Sequence, residues 1–547
     1  MKKIQTNHSS SSKSGIRTVL HSFNMLLLLF LNLNAKIPIH LTGNLPSTVD
    51  NASLPYLRPV FNQLGFSCGS ACGIGNVFTY EMNAARSTSA AISKNQYPYL
   101  FTYHFLNDGD QSKGTYHMFT DAWDITMESG IPTVDEFGGF EKGFPVRWVS
   151  GYETWFSGMK NRVDQYDSVK ITGPLSLDTI KQWLFDHGDG STHGGVAIVT
   201  GNAFSLTTDT LSAGPAQGKS IMLGFGAELN SNHAFTIVGY NDSIRYDLNA
   251  DGQYTNTIDI TQDGNVDMHD WEIGALRLVN SWGPLSFGDS GFIYLPYWAL
   301  VESPDNGGSI SNNNIFFCKI KKAVTVKAAL KVTIDNAHRN QMAFSVGIAN
   351  NLQALSPSKI RAFKKQFNYA GGDLPVGGIK DSNVIEIGLD ITDLLDSINN
   401  ASQYRVFFIV DSKSNNGMIT ALSLMDYSGT APFEYTSTQS SVPIKMGRTI
   451  LTVQNAISTD GVQQRDPISP KSLNITYIRK HIRISSPYRG QIQILLRNLQ
   501  GQTVTSMVSS TSESNIDCSG LARGYYFVTV QSLHTKVFTS TSVIIRD

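Results

Sequence analysis

The stretch Asn280-Ser281-Trp282-Gly283 closes the apolar run Ala275-Leu276-Arg277-Leu278-Val279, and its reading decides the rest of the chain. A strand holds the backbone up to Val279, so the Asn280 amide projects from a fixed end. Its oxygen can accept from an imidazole and set the ring's orientation, with Trp282 shielding the bond from water. A matching histidine stands upstream in Asn232-His233-Ala234-Phe235-Thr236-Ile237-Val238-Gly239-Tyr240, where Phe235, Ile237 and Gly239 alternate as in a strand that starts at His233. A general base needs such rigid placement, because proton transfer fails once the distance drifts beyond hydrogen-bond reach.

A nucleophile completes the set in Asn62-Gln63-Leu64-Gly65-Phe66-Ser67-Cys68. After Cys68, residues Ile74, Phe78, Met82 and Ala85 recur at helical spacing, which puts the thiol at the N-terminus of an amphipathic helix. Backbone N–H groups and the positive end of the helix dipole lower a thiol's pKa there. Gln63 can set its side-chain amide beside the same point and, with the Cys68 backbone N–H, form an oxyanion hole. Cys72 lies one turn on and is the rival nucleophile; it sits deeper than the Gln63 amide reaches and otherwise reads as a small core hydrophobe.

With Leu45-Pro46-Ser47-Thr48-Val49-Asp50 and Pro59-Val60-Phe61-Asn62-Gln63, these runs resemble the papain-like cysteine peptidases over roughly residues 45 to 300. The resemblance implies an α+β, two-lobed catalytic domain that hydrolyses peptide bonds of a protein or peptide substrate and needs no cofactor for catalysis. By it, Cys68 is the nucleophile, His233 the base, Asn280 the residue that orients it and Gln63 the oxyanion donor. The strand Gly291-Phe292-Ile293-Tyr294 also resembles the family's. Gly114 and Gly130-Ile131-Pro132-Thr133 resemble its substrate-binding wall, which adds Gly114 and Trp282 as substrate-binding residues.

The chain departs from the family's pattern in two ways. Gly69 follows the nucleophile where the family has tryptophan, and Gly65 stands where it has a cysteine. Cys68 and Cys72 are four apart where the family's pair is three apart, so both thiols stay open as the nucleophile. Two other readings use the same residues: acyl transfer to an amine, as in a transpeptidase or amidase, and a degenerate scaffold that only binds at a surface.

Between His233 and Asn280 lies an insert, residues 242–274, rich in Asp and Gly. Asp259, Thr261, Asp263, Asn265, Asp267 and Asp270 take positions one, three, five, seven, nine and twelve of a calcium loop around Gly264. Asp replaces the usual Glu at the last position, as in the dockerin-like loops that the segment resembles. Asp247, Asn249, Asp251 and Gly252 begin a second copy, but Ile258 stands where its final carboxylate belongs, so this half reads as incomplete. Repulsion among the carboxylates disfavours folding without a cation, and Ca2+ is the expected structural ion. A solvated acidic loop is the alternative.

At 547 residues the chain exceeds one core, and a prior of roughly 150 residues per domain predicts three or four domains. Forty-three basic against forty-four acidic residues leave no net field to recruit nucleic acid or an anionic membrane. Residues 1–35 read as a secretory signal: Lys2, Lys3 and Arg17 precede an apolar run from Met25 to Leu31, too short to span a bilayer. About ten residues separate it from Leu45, which leaves no room for a long inhibitory propeptide. Four cysteines, at 68, 72, 318 and 518, are too few for disulfides to be the main stabiliser, and a pairing of Cys68 with Cys72 or Cys318 stays open.

After the catalytic unit, residues 45–321, the period changes to two: Leu330, Val332 and Ile334; Met342, Phe344, Val346 and Ile348; Ile385, Ile387, Leu389 and Ile391. Residues 325–455 therefore read as a β-sandwich with a short helix expected from about Ser356 to Lys365. A polar stretch, residues 458–467, leads to a last module, 470–547, where Ile482 and Ile484, Ile492 and Ile494, and Tyr526, Val528 and Val530 alternate between glycines 490, 501 and 524, which read as turns. It reads as immunoglobulin-like, and its run Leu521-Ala522-Arg523-Gly524-Tyr525-Tyr526-Phe527-Val528 resembles the sorting domains of the type IX secretion route, implying a secreted or cell-surface protein that contacts that machinery.

Overall fold

Small residues after Cys68 let neighbouring segments approach the backbone closely: a Cβ on Gly73 would collide with Phe119 and one on Gly75 with Phe61. The computed structural model describes residues 36–114, 118–139, 147–225, 232–302, 310–378, 382–456, 474–478, 480–485, 491–498, 502–511, 513–532 and 538–545. The expected signal, the polar stretch 458–467 and glycines 490 and 501 lie outside the described residues.

The helical run opens at Cys68–Ser70, is wound as a π-helix over Ala71–Phe78 and continues as an α-helix over Thr79–Arg86. Ile74, Phe78 and Met82 are buried, as their spacing predicts, whereas Ala85 is exposed. Ser87 ends the run in a left-handed conformation, φ 52°. The run packs on a nine-stranded sheet in which His233–Arg245 is central, paired with Ala197–Gly201 on one side and Ile273–Val279 on the other. Asn76 Nδ2 donates to Thr236 Oγ1 at 3.1 Å and fixes helix to strand.

Two antiparallel sheets follow, one of five strands built around Ala328–Asp335 and Met418–Asp426, the other of four around Met342–Ala349 and Arg405–Ser412. The alternating residues Leu330, Val332, Ile334, Phe344, Val346 and Ile348 are all buried, as are Ile385, Ile387, Leu389 and Ile391. The fold is thus α+β with sandwich-like β parts. The helix expected at Ser356–Lys365 is not there. Lys359–Ala362 is a strand pairing with Ser345–Ile348, because Pro357 packs on Gly347 and the Ser358 N–H and hydroxyl both donate to Ile348 O. A short helix lies instead at Thr392–Ser397.

The apolar core does not stop at the expected boundary near residue 325. One buried cluster runs from Ile74, Phe101 and Trp155 through Val332, Phe344 and Phe408. Phe367 of the sandwich meets Phe105, Trp148 and Trp155 with ring centroids 5.2, 5.4 and 5.7 Å away. A buried ion pair, Arg162 Nη2 to Asp390 Oδ2 at 2.7 Å, also joins the two parts. Breaking one partner of such a pair would leave a buried charge and cost on the order of 3–5 kcal/mol.

The final residues form a three-stranded and a four-stranded antiparallel sheet around Ile482, Ile484, Ile492, Ile494, Tyr526, Val528 and Val530. No described helix is long and apolar enough to cross a membrane.

Candidate active site

The strand His233–Arg245 begins on the residue that sequence singles out, and Gly201 opposes it in the ladder. On the other side Thr236 pairs with Val279, so the chain running past Val279 delivers Asn280 to the imidazole. His233 Nε2 lies 2.8 Å from Asn280 Oδ1. The Ser281 backbone N–H also donates to that oxygen, at 2.7 Å, which identifies it as the amide's acceptor end. Nε2 must therefore carry the proton, and the neutral ring keeps its lone pair on Nδ1. Trp282 lies against the imidazole, ring centroids 4.4 Å apart, and Phe235 meets it edge-to-face at 4.7 Å. His233 and Asn280 are buried, and burial pushes His233 down to about 4, although its bond to Asn280 opposes this.

Cys68 starts the helical run beside the same strand end. Its Sγ lies 3.6 Å from Asn232 O. The helix end was expected to lower the thiol's pKa; instead burial raises it to about 11, outweighing the backbone N–H groups of Ala234, Gly69 and Cys68 that pull it down. The Cys68 thiol and the His233 imidazole are thus each neutral at pH 7. Cys72 is wholly enclosed, and its thiol donates to Ala234 O at 3.0 Å. Burial lifts its pKa far above the usual range, so it behaves as packing. All four cysteines are free thiols, which removes the disulfides left open by sequence.

Gln63 is tied to the loop that follows Asn280. Its backbone N–H donates to Ser281 O at 2.7 Å, and the Ser281 hydroxyl donates to Gln63 Oε1 at 2.6 Å. The Gly283 N–H donates to Phe61 O at 3.0 Å, extending the link. Gln63 Nε2 gives one N–H to Gly65 O at 2.9 Å, and the amide's second N–H is the donor left for an oxyanion. Gly114 packs against the carbonyl of Phe66, two residues before Cys68. Ser281 is the residue that sequence reading passed over; its place between an orienting amide and an oxyanion amide was the available signal.

The acidic insert folds as two loops with matching hydrogen bonds. Asp247 accepts from the backbone N–H groups of Asp251 and Gly252, as Asp259 does from those of Asp263 and Gly264. Ala250 and Gln262, fourth in each loop, have φ of 60° and 59°. In the later loop Asp270, fully buried, accepts from Ile260 and Thr261 through Oδ1 and from Asp267 through Oδ2. The first loop, read from sequence as incomplete at Ile258, has the same support from outside itself. Glu272, 3% exposed, accepts from Leu248 through Oε1 and Thr255 through Oε2, the positions that correspond to Ile260 and Asp267. The spacing rule missed it because the longer side chain comes from beyond the loop. Asn249 bonds Asp251, and Asn265 bonds Asp263. This all-oxygen donor set suits a hard cation, but among the described residues no three carboxylates or histidines converge as they stand on one metal position.

Comparison with known proteins is informative only at the end of the chain. Residues 475–546 match the family described as the secretion system C-terminal sorting domain. That tail marks a secreted or cell-surface protein and a contact with the type IX secretion machinery. No curated protein matches the chain.

Proposed function

We propose that the chain is an exported papain-like cysteine peptidase in which Cys68 attacks the peptide carbonyl. The observation that carries this reading is the 2.8 Å bond from His233 Nε2 to Asn280 Oδ1, on a strand end beside the Cys68 thiol and beneath Trp282. Because Nε2 is committed to Asn280, Nδ1 is the nitrogen that takes the thiol proton as sulfur adds to the carbonyl carbon. His233 then returns that proton to the leaving amine, and water releases the acyl group. The negative oxygen of the tetrahedral intermediate is met by the Gln63 side-chain N–H and the Cys68 backbone N–H. The neutral resting pair favours concerted base catalysis over a standing thiolate. A substrate-side amine in place of water would make the same thiol an acyltransferase, and product analysis with added amine separates the two.

The test is cleavage of a peptide library by the purified protein and by Cys68→Ala. Turnover confined to the parent supports the reading; equal turnover by both removes it.

We further propose that the insert, bounded by the strands that bear His233 and Asn280, binds structural calcium. Asp247, Asn249, Asp251 and Glu272 would serve one ion, and Asp259, Thr261, Asp263, Asn265, Asp267 and Asp270 the other. Bound calcium would supply charge neutralisation that lets these carboxylates approach one another. The matched backbone hydrogen bonds of Glu272 and Asp270 support this assignment.

A further inference from the structure

The segment 107–114 touches both the nucleophile loop and the β-sandwich. Its inner side belongs to the site: the Phe66 N–H donates to Gln111 O at 3.1 Å, and a Cβ on Gly114 would collide with Phe66 O. The Tyr103 hydroxyl, on the preceding helix Tyr99–Leu106, lies 2.9 and 2.8 Å from the carbonyls of Gln111 and Lys113. Its outer side is held by the sandwich. Gly372 lies so close to Asp108 O that a Cβ there would collide with it. A Cβ on Gly109 would stand 2.9 Å from Leu374 Cδ1 and 3.0 Å from Gly371 O.

The sandwich turn that makes these contacts is itself fixed. Arg339 is fully buried; its Nε donates to Gly371 O at 2.8 Å and its backbone N–H to Leu374 O at 2.8 Å. Its guanidinium lies 4.6 Å over the Trp148 ring. Trp148 in turn stacks on Phe105 at 4.6 Å, two residues before the segment begins. Side chains this tightly packed transmit displacement instead of absorbing it.

We infer that the β-sandwich is a working wall of the peptide cleft: residues 371–374 press the segment 107–114 against the nucleophile loop, and Gly372, Leu374 and Arg339 are positioning residues for the bound peptide. This rests on the peptidase reading of Cys68 and His233. The sandwich then contributes to substrate alignment without touching the reacting atoms, and it cannot be removed as an independent binding module.

The test compares Gly372→Val with Gly347→Val in the full chain. Gly347 is also tightly packed inside the sandwich, a Cβ there standing 2.5 Å from Pro357 Cβ, and its nearest neighbours are Pro357 and Lys359 instead of residues 107–114. Gly372→Val should raise KM for an extended peptide, lowering kcat/KM by up to roughly 10²-fold as expected when a positioning element shifts by about an ångström. Labelling of Cys68 by iodoacetamide should stay near the parent rate, and amide exchange in 107–114 should speed up. Gly347→Val should lower the melting temperature and leave KM and that exchange unchanged. Leu374→Ala, which removes a contact without a clash, should reproduce the Gly372→Val pattern more mildly if the larger side chain prevents folding. Parent-like KM and exchange in both Gly372→Val and Leu374→Ala, or an equal KM change in Gly347→Val, would overturn the inference. If the parent protein neither labels nor cleaves, the peptidase reading fails by itself, and exchange at 107–114 still decides whether the sandwich holds that segment.

Discussion

The Ser281 hydroxyl donates to Gln63 Oε1 at 2.6 Å while the Ser281 N–H donates to Asn280 Oδ1 at 2.7 Å, so one buried residue couples the amide that would bind an oxyanion to the amide that orients the imidazole. Gln63→Ala should lower kcat by about 10²- to 10³-fold, the usual loss for one oxyanion donor. Ser281→Ala removes only the hydroxyl bond to Gln63 Oε1, while its backbone N–H still donates to Asn280 Oδ1, so its loss should be smaller, on the order of 10-fold, appearing in kcat more than in KM. Steady-state kinetics on one peptide checks both. A Gln63→Ala protein with parental kcat would remove Gln63 from the mechanism.

The acid–base state of the site makes a second prediction. Burial holds the Cys68 thiol up at about 11 and the His233 imidazole down at about 4, so the neutral pair persists between those values. The acid limb of kcat/KM should therefore fall near pH 4, with no loss through neutrality. Iodoacetamide labelling of the free enzyme should keep climbing above pH 8 as thiolate forms. A labelling rate already flat from pH 5 would instead reveal a resting thiolate–imidazolium pair.

Stability should weaken on mild acidification. His233, held down at about 4, and His104, held down at about 3 by burial, are harder to protonate folded than unfolded, where the value is about 6.5. As pH falls from about 6.5 the unfolded chain takes up the protons first, so each group subtracts stability until its folded pKa is passed, roughly 3 kcal/mol or more apiece. His187, bonded to Glu81 at 2.7 Å, is raised despite burial and acts in the opposite sense, adding stability that is lost as pH rises. Melting temperatures between pH 7 and 4 should fall, and the fall should shrink in His104→Gln.

Removing calcium should lower the melting temperature, and Glu272→Gln and Asp270→Asn should each remove about half of the calcium-dependent rise. Calorimetry with calcium and with chelator measures this. Identical curves in the two conditions would return the insert to a plain acidic loop.

Much of this architecture is legible in the chain because period and motif agree. The period-two runs from Leu330 to Ile348 and from Ile385 to Ile391 are buried as they read, and Asn280 meets His233 as their strands foretell. What escaped were effects of tertiary context. Pro357 after Ser356 looks like a helix start, but packing on Gly347 draws the chain into a strand. Helix-end electrostatics argue for an acidic Cys68, but burial of the thiol outweighs the backbone N–H groups around it, that of Ala234 included. Glu272 lies outside the spacing of the loop it serves, and the contact of Gly372 with Asp108 joins residues 264 positions apart that no local pattern links.

The most direct test is mass-spectrometric mapping after an epoxysuccinyl or iodoacetamide reagent is added to the parent protein, to His233→Ala and to Cys68→Ala, with peptide cleavage followed in parallel. The account predicts one modified site, Cys68, with cleavage lost on labelling, turnover collapsed in His233→Ala and absent in Cys68→Ala. Modification of Cys72 with Cys68 untouched, or parental cleavage by Cys68→Ala, would contradict it.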